Sequence, residues 1–158
     1  MSAIGITLTV NCHAYRLSVA PRRVLADVLR EELHLTGCKI GCDQAACGAC
    51  TVLVDDMPVT ACTTFAFELD GKAVTTIEGL AEDDELHPVQ RAFLEHGAFQ
   101  CGFCTPGMVL SVTALLARHP DPDEALIRKW LSANICRCTG YRMIIEAVQA
   151  AAKTQAAP

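Results

Sequence analysis

Apolar and polar positions alternate strictly near the start of the chain: Ile4, Ile6, Leu8 and Val10 are separated by Gly5, Thr7 and Thr9. That is the period of a strand with one buried face. Tyr15, Leu17 and Val19 repeat the alternation beyond a short turn around Asn11 to Ala14, which predicts a hairpin. Pro21 breaks the pattern, and Val24, Leu25, Val28, Leu29 and Leu33 then recur at helical spacing, with Arg23, Arg30 and Glu31 on the outer face. Further along, Thr51 to Val54 and Met57 to Val59 flank the turn pair Asp55 and Asp56 and predict a second hairpin. A β-branched run from Ala73 to Ile77, after a turn at Asp70 and Gly71, predicts the closing strand. Residues 78–86, with an acidic run from Glu82 to Glu85, read as a solvated linker.

The second half changes period from two to that of helices. Pro88 fits the first turn of a helix carrying Val89, Phe93 and Leu94 and ending near Gly97. Thr105 and Pro106 read as N-cap and first residue of a helix with Met108, Val109, Val112, Leu115 and Leu116 on its apolar face. Asp121 and Pro122 repeat the device before Leu126, Ile127, Trp130 and Leu131, and Thr139 caps a last helix that turns Met143, Ile144, Ala147 and Val148 inward. The expected architecture is α+β: a small sheet domain over residues 1–78, then a compact bundle of short helices over 79–158. Each unit has a thin core that needs a staple.

Composition narrows the chemistry. The net charge of −5 and the lack of any basic run argue against nucleic acid as a partner. No stretch approaches the ~18 apolar residues of a membrane span, and the alternating N-terminus has no charged and apolar leader pattern. The expectation is a soluble, cytoplasmic protein whose cysteines serve in a reducing compartment as metal ligands rather than disulfides. His13, His34, His87, His96 and His119 are scattered at turns and helix ends and read as ordinary surface residues. There is no nucleophile with a base, no nucleotide-binding glycine loop and no carboxylate pair in a plausible pocket, so the chain alone is expected to convert no substrate. A hydrophobic content of 51% in so small a chain points to faces buried against other subunits.

The cysteines form two groups. Residues 41–50, GCDQAACGAC, place Cys42, Cys47 and Cys50 at C-x4-C-x2-C spacing, with Cys62 beyond the hairpin. This is the spacing of a plant-type [2Fe-2S] cluster, and the small residues Gly41, Ala45, Ala46, Gly48 and Ala49 let backbone N–H groups come close to sulfur. The second group is Cys101-Gly-Phe-Cys104 with Cys136-Arg-Cys138, each pair preceding an expected helix, so that two helix N-termini would face an anionic centre. Structural zinc on four thiolates stays open at both places, more so at the second, because C-x2-C is widespread.

The ordered set GCDQAACGACTVLVDD with Cys62, then QCGFCTPGM, then ICRCTGY, resembles the small two-cluster iron-sulfur subunit of the molybdenum hydroxylases, the xanthine dehydrogenase and aldehyde oxidoreductase family. The resemblance covers nearly the whole chain. It implies a β-grasp, plant-type ferredoxin domain followed by a four-helix domain. It also implies one [2Fe-2S] cluster on Cys42, Cys47, Cys50 and Cys62 and another on Cys101, Cys104, Cys136 and Cys138. By the same resemblance Gln100 and Cys138 lie against the pterin of a molybdopterin cofactor held by a large partner subunit. Electrons would pass from that subunit through both clusters to a medium FAD-binding subunit or another acceptor. The residues after Cys42 are Asp43, Gln44 and Ala45, where Gly-Glu-Gly is commonest in the family; an Asp there is similar to carbon monoxide dehydrogenase and hydroxybenzoyl-CoA reductase small subunits, and one dipeptide assigns no substrate. Cys12 and Cys38 fall outside the ligand pattern and read as free thiols. A stand-alone two-cluster ferredoxin, a redox sensor and a zinc-stabilised interaction module remain the alternatives.

Overall fold

The structure, a computed structural model, describes residues 2–82 and 85–155. Strand β1 (Ile4–Val10) pairs antiparallel with β2 (His13–Val19), Ile4 opposite Val19 and Val10 opposite His13. Ile6, Leu8 and Val10 turn one face inward, as their alternation requires. Asn11 and Cys12 both take left-handed φ, 48° and 66°, which gives a two-residue turn of the hand that suits strand twist. Asp55 and Asp56, at 46° and 63°, make the same turn between β3 (Thr51–Val54) and β4 (Met57–Thr60).

The fifth strand, β5 (Ala73–Thr75), lies in the middle of the sheet, whose order is β2-β1-β5-β3-β4. It runs parallel to β1 and antiparallel to β3. The helix that crosses the sheet is short: α1 (Leu25–Asp27) widens at once into a π-helical turn, Val28–Glu32, where Leu33 N–H donates to the Val28 carbonyl. Leu25, Ala26, Val28 and Leu29 are buried against the sheet, while Arg23 pairs outward with Asp27, Glu31 and Glu32. Arg30 donates to the carbonyls of Thr36 and Cys38, at 3.2 and 2.8 Å, and so ties the helix to the entrance of the cysteine loop.

The helical half contains α2 (Pro88–Glu95), α3 (Thr105–Arg118), α4 (Glu124–Leu131) and α5 (Arg142–Gln155). Val89, Phe93, Met108, Val112, Leu115, Ile127, Leu131, Ile144 and Val148 are completely or almost completely buried in their shared core. A smaller cluster, Leu53 with Leu110 and Ala114, joins β3 to α3. Helix α3 is therefore covered on two sides, by the bundle and by the sheet.

Several boundaries differ from the sequence expectation. The closing strand ends at Thr75 rather than Ile77. Thr76 turns away because Asn11 takes over its partners, with Oδ1 accepting from Thr76 N–H and Nδ2 donating to Thr76 Oγ1, each at 2.9 Å. The stretch expected as a solvated linker begins as a turn of 3-10 helix, Ile77–Gly79, and Ile77 and Leu80 pack against the helical core. Glu78 accepts from Gly37 N–H at 2.7 Å, and Glu82 bridges Glu85. Asp83 and Asp84 of the acidic run lie outside the described residues. The N-cap of α3 is Cys104, not Thr105, and that of α4 is Asp123, whose carboxylate accepts from Leu126 N–H at 2.7 Å, not Asp121. Thr139 does not cap α5, which begins at Arg142; its hydroxyl turns to Cys136 instead.

Candidate metal centres

The first group of cysteines sits on a loop that rises from α1 and ends in β3. Asp43 and Ala45 hold left-handed φ of 56° and 58°, and Gly48 one of 69°. Left-handed geometry at non-glycine residues costs free energy and persists where the surroundings impose it. Here it curls the loop so that the N–H groups of Ala46 and Cys47 both donate to Cys42 Sγ at 3.3 Å. Backbone donors, that of Gln44 foremost and Ala46 next, hold the Cys42 thiol down to about 7. Gly41 packs closely under the loop, since a Cβ there would stand 3.1 Å from Cys47 Sγ and press that sulfur aside by a few tenths of an ångström.

The thiols meet in twos. In the first group Cys42 contacts Cys47, and Cys50 contacts Cys62 across the base of the β3–β4 hairpin. Burial pushes the Cys50 thiol up to about 12. In the second group Cys101 Sγ lies 3.6 Å from Cys138 Sγ, and Cys104 contacts Cys136. Cys101 and Cys138 are exposed, whereas Cys104 and Cys136 are buried. Burial lifts Cys104 to about 12. At Cys136 burial works in the same direction but is outweighed by the Thr139 hydroxyl, which donates at 3.2 Å, and by neighbouring amides, so that thiol is held below its ordinary value.

Among the described residues no three ligand-type side chains gather as they would around a single ion. A dinuclear iron-sulfur group needs the other arrangement, two thiolates on each of two irons, with N–H and O–H donors near sulfur. Two thiol pairs on each half of the molecule, with amides of the 42–47 loop and the Thr139 hydroxyl turned to sulfur, fit that donor set. The expected convergence of two helix N-termini is only half present. Cys104 starts α3 directly, but α5 begins beyond a turn over Thr139 to Tyr141, and this turn supplies the donors in its place.

Gln100 is exposed next to exposed Cys101, on a rim that also carries Phe99, Phe103 (47% exposed) and Ile135 (53% exposed). Cys12 is exposed at the β1–β2 turn, far along the sequence from either group. Cys38 is buried near the first group, where its thiol donates to the Cys50 carbonyl at 3.6 Å and burial lifts it to about 12; it joins neither pair. Four of the five histidines hold structural posts. His87 caps α2, His96 and His119 close α2 and α3, and His13 bonds the Asn11 carbonyl.

Sequence reasoning missed the contacts between the halves. Asn134, 3% exposed, donates to the Gly48 carbonyl at 2.9 Å and to Thr51 Oγ1 at 3.2 Å. Ile135 N–H donates to the Cys47 carbonyl at 2.8 Å. The Tyr141 hydroxyl accepts from Cys136 N–H at 2.8 Å and donates to the Asn134 carbonyl at 2.9 Å. A Cβ on Gly107 would come within 2.5 Å of the Gly48 carbonyl, so α3 starts flush against the cysteine loop. No local pattern announces these residues, because their partners lie in the other half of the chain. The glycines of GCDQAACGAC and CTPGM were the one available hint of close backbone approach.

Residues 8–81 match the family model described as a 2Fe-2S iron-sulfur cluster binding domain, and residues 76–149 match one described as a [2Fe-2S] binding domain. The 6-hydroxypseudooxynicotine dehydrogenase complex subunit beta of Paenarthrobacter nicotinovorans is 44% identical over 93% of this chain and 92% of its own length. The nicotinate dehydrogenase small FeS subunit of Eubacterium barkeri is 46% identical over 94% of this chain and 95% of its own. Among solved structures, quinoline 2-oxidoreductase from Pseudomonas putida 86 superposes with a TM-score of 0.93 at 42% identity, covering 98% of this chain and 96% of that one. Aldehyde oxidoreductase from Desulfovibrio gigas gives 0.92 at 44% identity over 96% of this chain, which corresponds to 17% of that longer one.

Proposed function

Because the chain belongs to the two-cluster iron-sulfur subunits of the molybdenum hydroxylases, we propose that Cys42, Cys47, Cys50 and Cys62 hold one [2Fe-2S] cluster and Cys101, Cys104, Cys136 and Cys138 the other. The chain is the electron-transfer subunit of a molybdopterin-dependent oxidoreductase and converts no substrate itself. The observation that carries the ligand assignment is the set of thiol pairs, two in each half. Each cluster supplies one-electron chemistry, and the chain's residues set its burial and its hydrogen bonds.

The family resemblance implies the order of transfer, and the exposure of both sites supports it. Gln100, Cys101 and Cys138 lie on the open, apolar-edged rim of the second site, where a large molybdopterin-binding subunit would seat its pterin; the Gln100 amide offers both a donor and an acceptor to a pterin edge. Electrons then cross to the first site and leave through the exposed loop around Cys42, toward an FAD-binding subunit or another acceptor. The apolar rim of Phe99, Phe103 and Ile135 favours a bound partner over a stand-alone ferredoxin. We take residues 1–78 and 79–158 as the two cluster-bearing domains. Among the described residues no helix is long and apolar enough to cross a membrane. We place the complex in the cytoplasm, where unpaired thiols persist; its recovery in a periplasmic fraction would contradict this.

Anaerobic purification tests the assignment. The chain is expected to carry about four irons, two for each [2Fe-2S] centre, and to show two EPR signals on reduction. Stoichiometric zinc in place of iron would overturn it.

A further inference from the structure

The two groups of cysteines are joined by one strip of backbone. The hydrogen bond from Ile135 N–H to the Cys47 carbonyl links a residue of the first group to the immediate neighbour of Cys136 in the second. It is clamped from both sides. Asn134 anchors its carboxamide on the Gly48 carbonyl and Thr51 Oγ1. Tyr141 spans the Asn134 carbonyl and Cys136 N–H with one hydroxyl. Gly48, at φ 69°, leaves just enough space, since a Cβ would lie 2.5 Å from Asn134 Nδ2. A buried carboxamide is an expensive way to fill that space. An apolar side chain of similar volume would avoid the desolvation cost, so the polar group is kept for the geometry it enforces.

Resting on the ligand assignment above, we propose that Asn134 and Tyr141 are positioning residues for electron passage between the two centres: they hold the Ile135 amide on the Cys47 carbonyl, and that hydrogen bond is the bridge. The path runs from Cys136 sulfur through its Cα and peptide nitrogen, across Ile135 to its N–H, over the hydrogen bond, and through the Cys47 carbonyl to Cys47 sulfur. With both clusters bound, this route would carry one electron from the reduced centre on Cys136 to the oxidised centre on Cys47, oxidising the first and reducing the second, with no bond formed or broken and no proton moved. The widest gap between atoms on this route is a hydrogen bond.

The test uses the assembled complex carrying Asn134→Leu or Tyr141→Phe. Three properties are measured: iron content and midpoint potentials, hydrogen-exchange protection of the Ile135 amide, and the rate at which an injected electron equilibrates between the clusters. The expected result is loss of Ile135 protection and a several-fold slower equilibration, at unchanged iron and potentials. A purely structural role would lower the melting temperature and leave that rate alone. Retained protection in both variants, or an unchanged rate once protection is lost, overturns the proposal. If Asn134→Leu fails to load the first centre, Tyr141→Phe, which removes a single oxygen, decides by the same two readings. Wild-type complex with fewer than two cluster signals would instead overturn the ligand assignment, which separates the two failures.

Discussion

Gln100 and Cys138 share the exposed rim of the second site, and their sequence neighbours alone would not mark Gln100 as more than a loop residue. Its exposure beside an exposed thiol agrees with an amide waiting for a partner's ring edge. Gln100→Ala is expected to leave both clusters assembled and to slow their reduction by the molybdenum centre. Stopped-flow reduction of the reconstituted complex measures this, and an unchanged rate at full molybdenum content would return Gln100 to the turn. Other residue-scale features were visible only as composition. Small residues in GCDQAACGAC signalled a tight loop, but not that Asp43 and Ala45 would adopt the left-handed region along with Gly48. Such values follow from wrapping amides around Cys42 Sγ, a constraint that no helix or strand propensity encodes.

Helices α2 to α5 show how far periodicity reaches. Their apolar faces were legible, since Val89, Phe93, Met108, Val112, Ile127, Leu131, Ile144 and Val148 recur at helical spacing and are buried. Their first residues were less so. Asp121 and Asp123 both suit an N-cap, and it is Asp123 whose carboxylate accepts from Leu126 N–H. At α2 the cap is His87, whose Nδ1 accepts from Val89 N–H at 3.3 Å while Gln90 reaches back to His87 N–H at 3.0 Å. An imidazole can accept there only when neutral. Burial holds His87 below its ordinary value of about 6.5, against the smaller opposing pull of Glu82. The folded value is the lower one, so the stability this cap contributes is complete above about pH 6.5 and is lost as pH falls through the folded value. The loss should amount to about 1 kcal/mol, the usual worth of an N-cap. Thermal melts of wild type and His87→Asn between pH 5 and 8 check it: wild type should lose stability relative to the variant as pH falls below about 6.5, and a difference that stays constant across that range would show that the cap does not titrate.

At the scale of the whole molecule, two small cores share one helix. Leu110 and Ala114 turn α3 toward Leu53 of the sheet while its other side fills the bundle, which is why nearly every position of this helix is apolar. Each group of cysteines nevertheless belongs to one half. Cys47→Ser is therefore expected to damage the first centre and leave the second assembled, because the Cys47 carbonyl, which bonds Ile135, is untouched by the change. EPR of the reduced variant should show one signal in place of two. Simultaneous loss of both would mean that the halves fold as a single unit and that the division at residue 78 is wrong.

The local elements and the chemistry were legible in the chain's own patterns. Alternation set β1 and β2, the helical period set the bundle, and cysteine spacing named the two groups, since each of these patterns is complete within a few turns of chain. Packing settled what depends on residues far apart. It set the central place of β5 beside β1, the strap of Ile77 and Leu80 where a free linker was expected, the pairing of Cys101 with Cys138 and Cys104 with Cys136, and the clamp of Asn134 on Gly48. The physical reason is common to all of them. A hydrogen bond between residues 48 and 134 leaves no trace in the spacing of either, because its geometry exists only once both cores have closed and brought the cysteine loop against the start of α3.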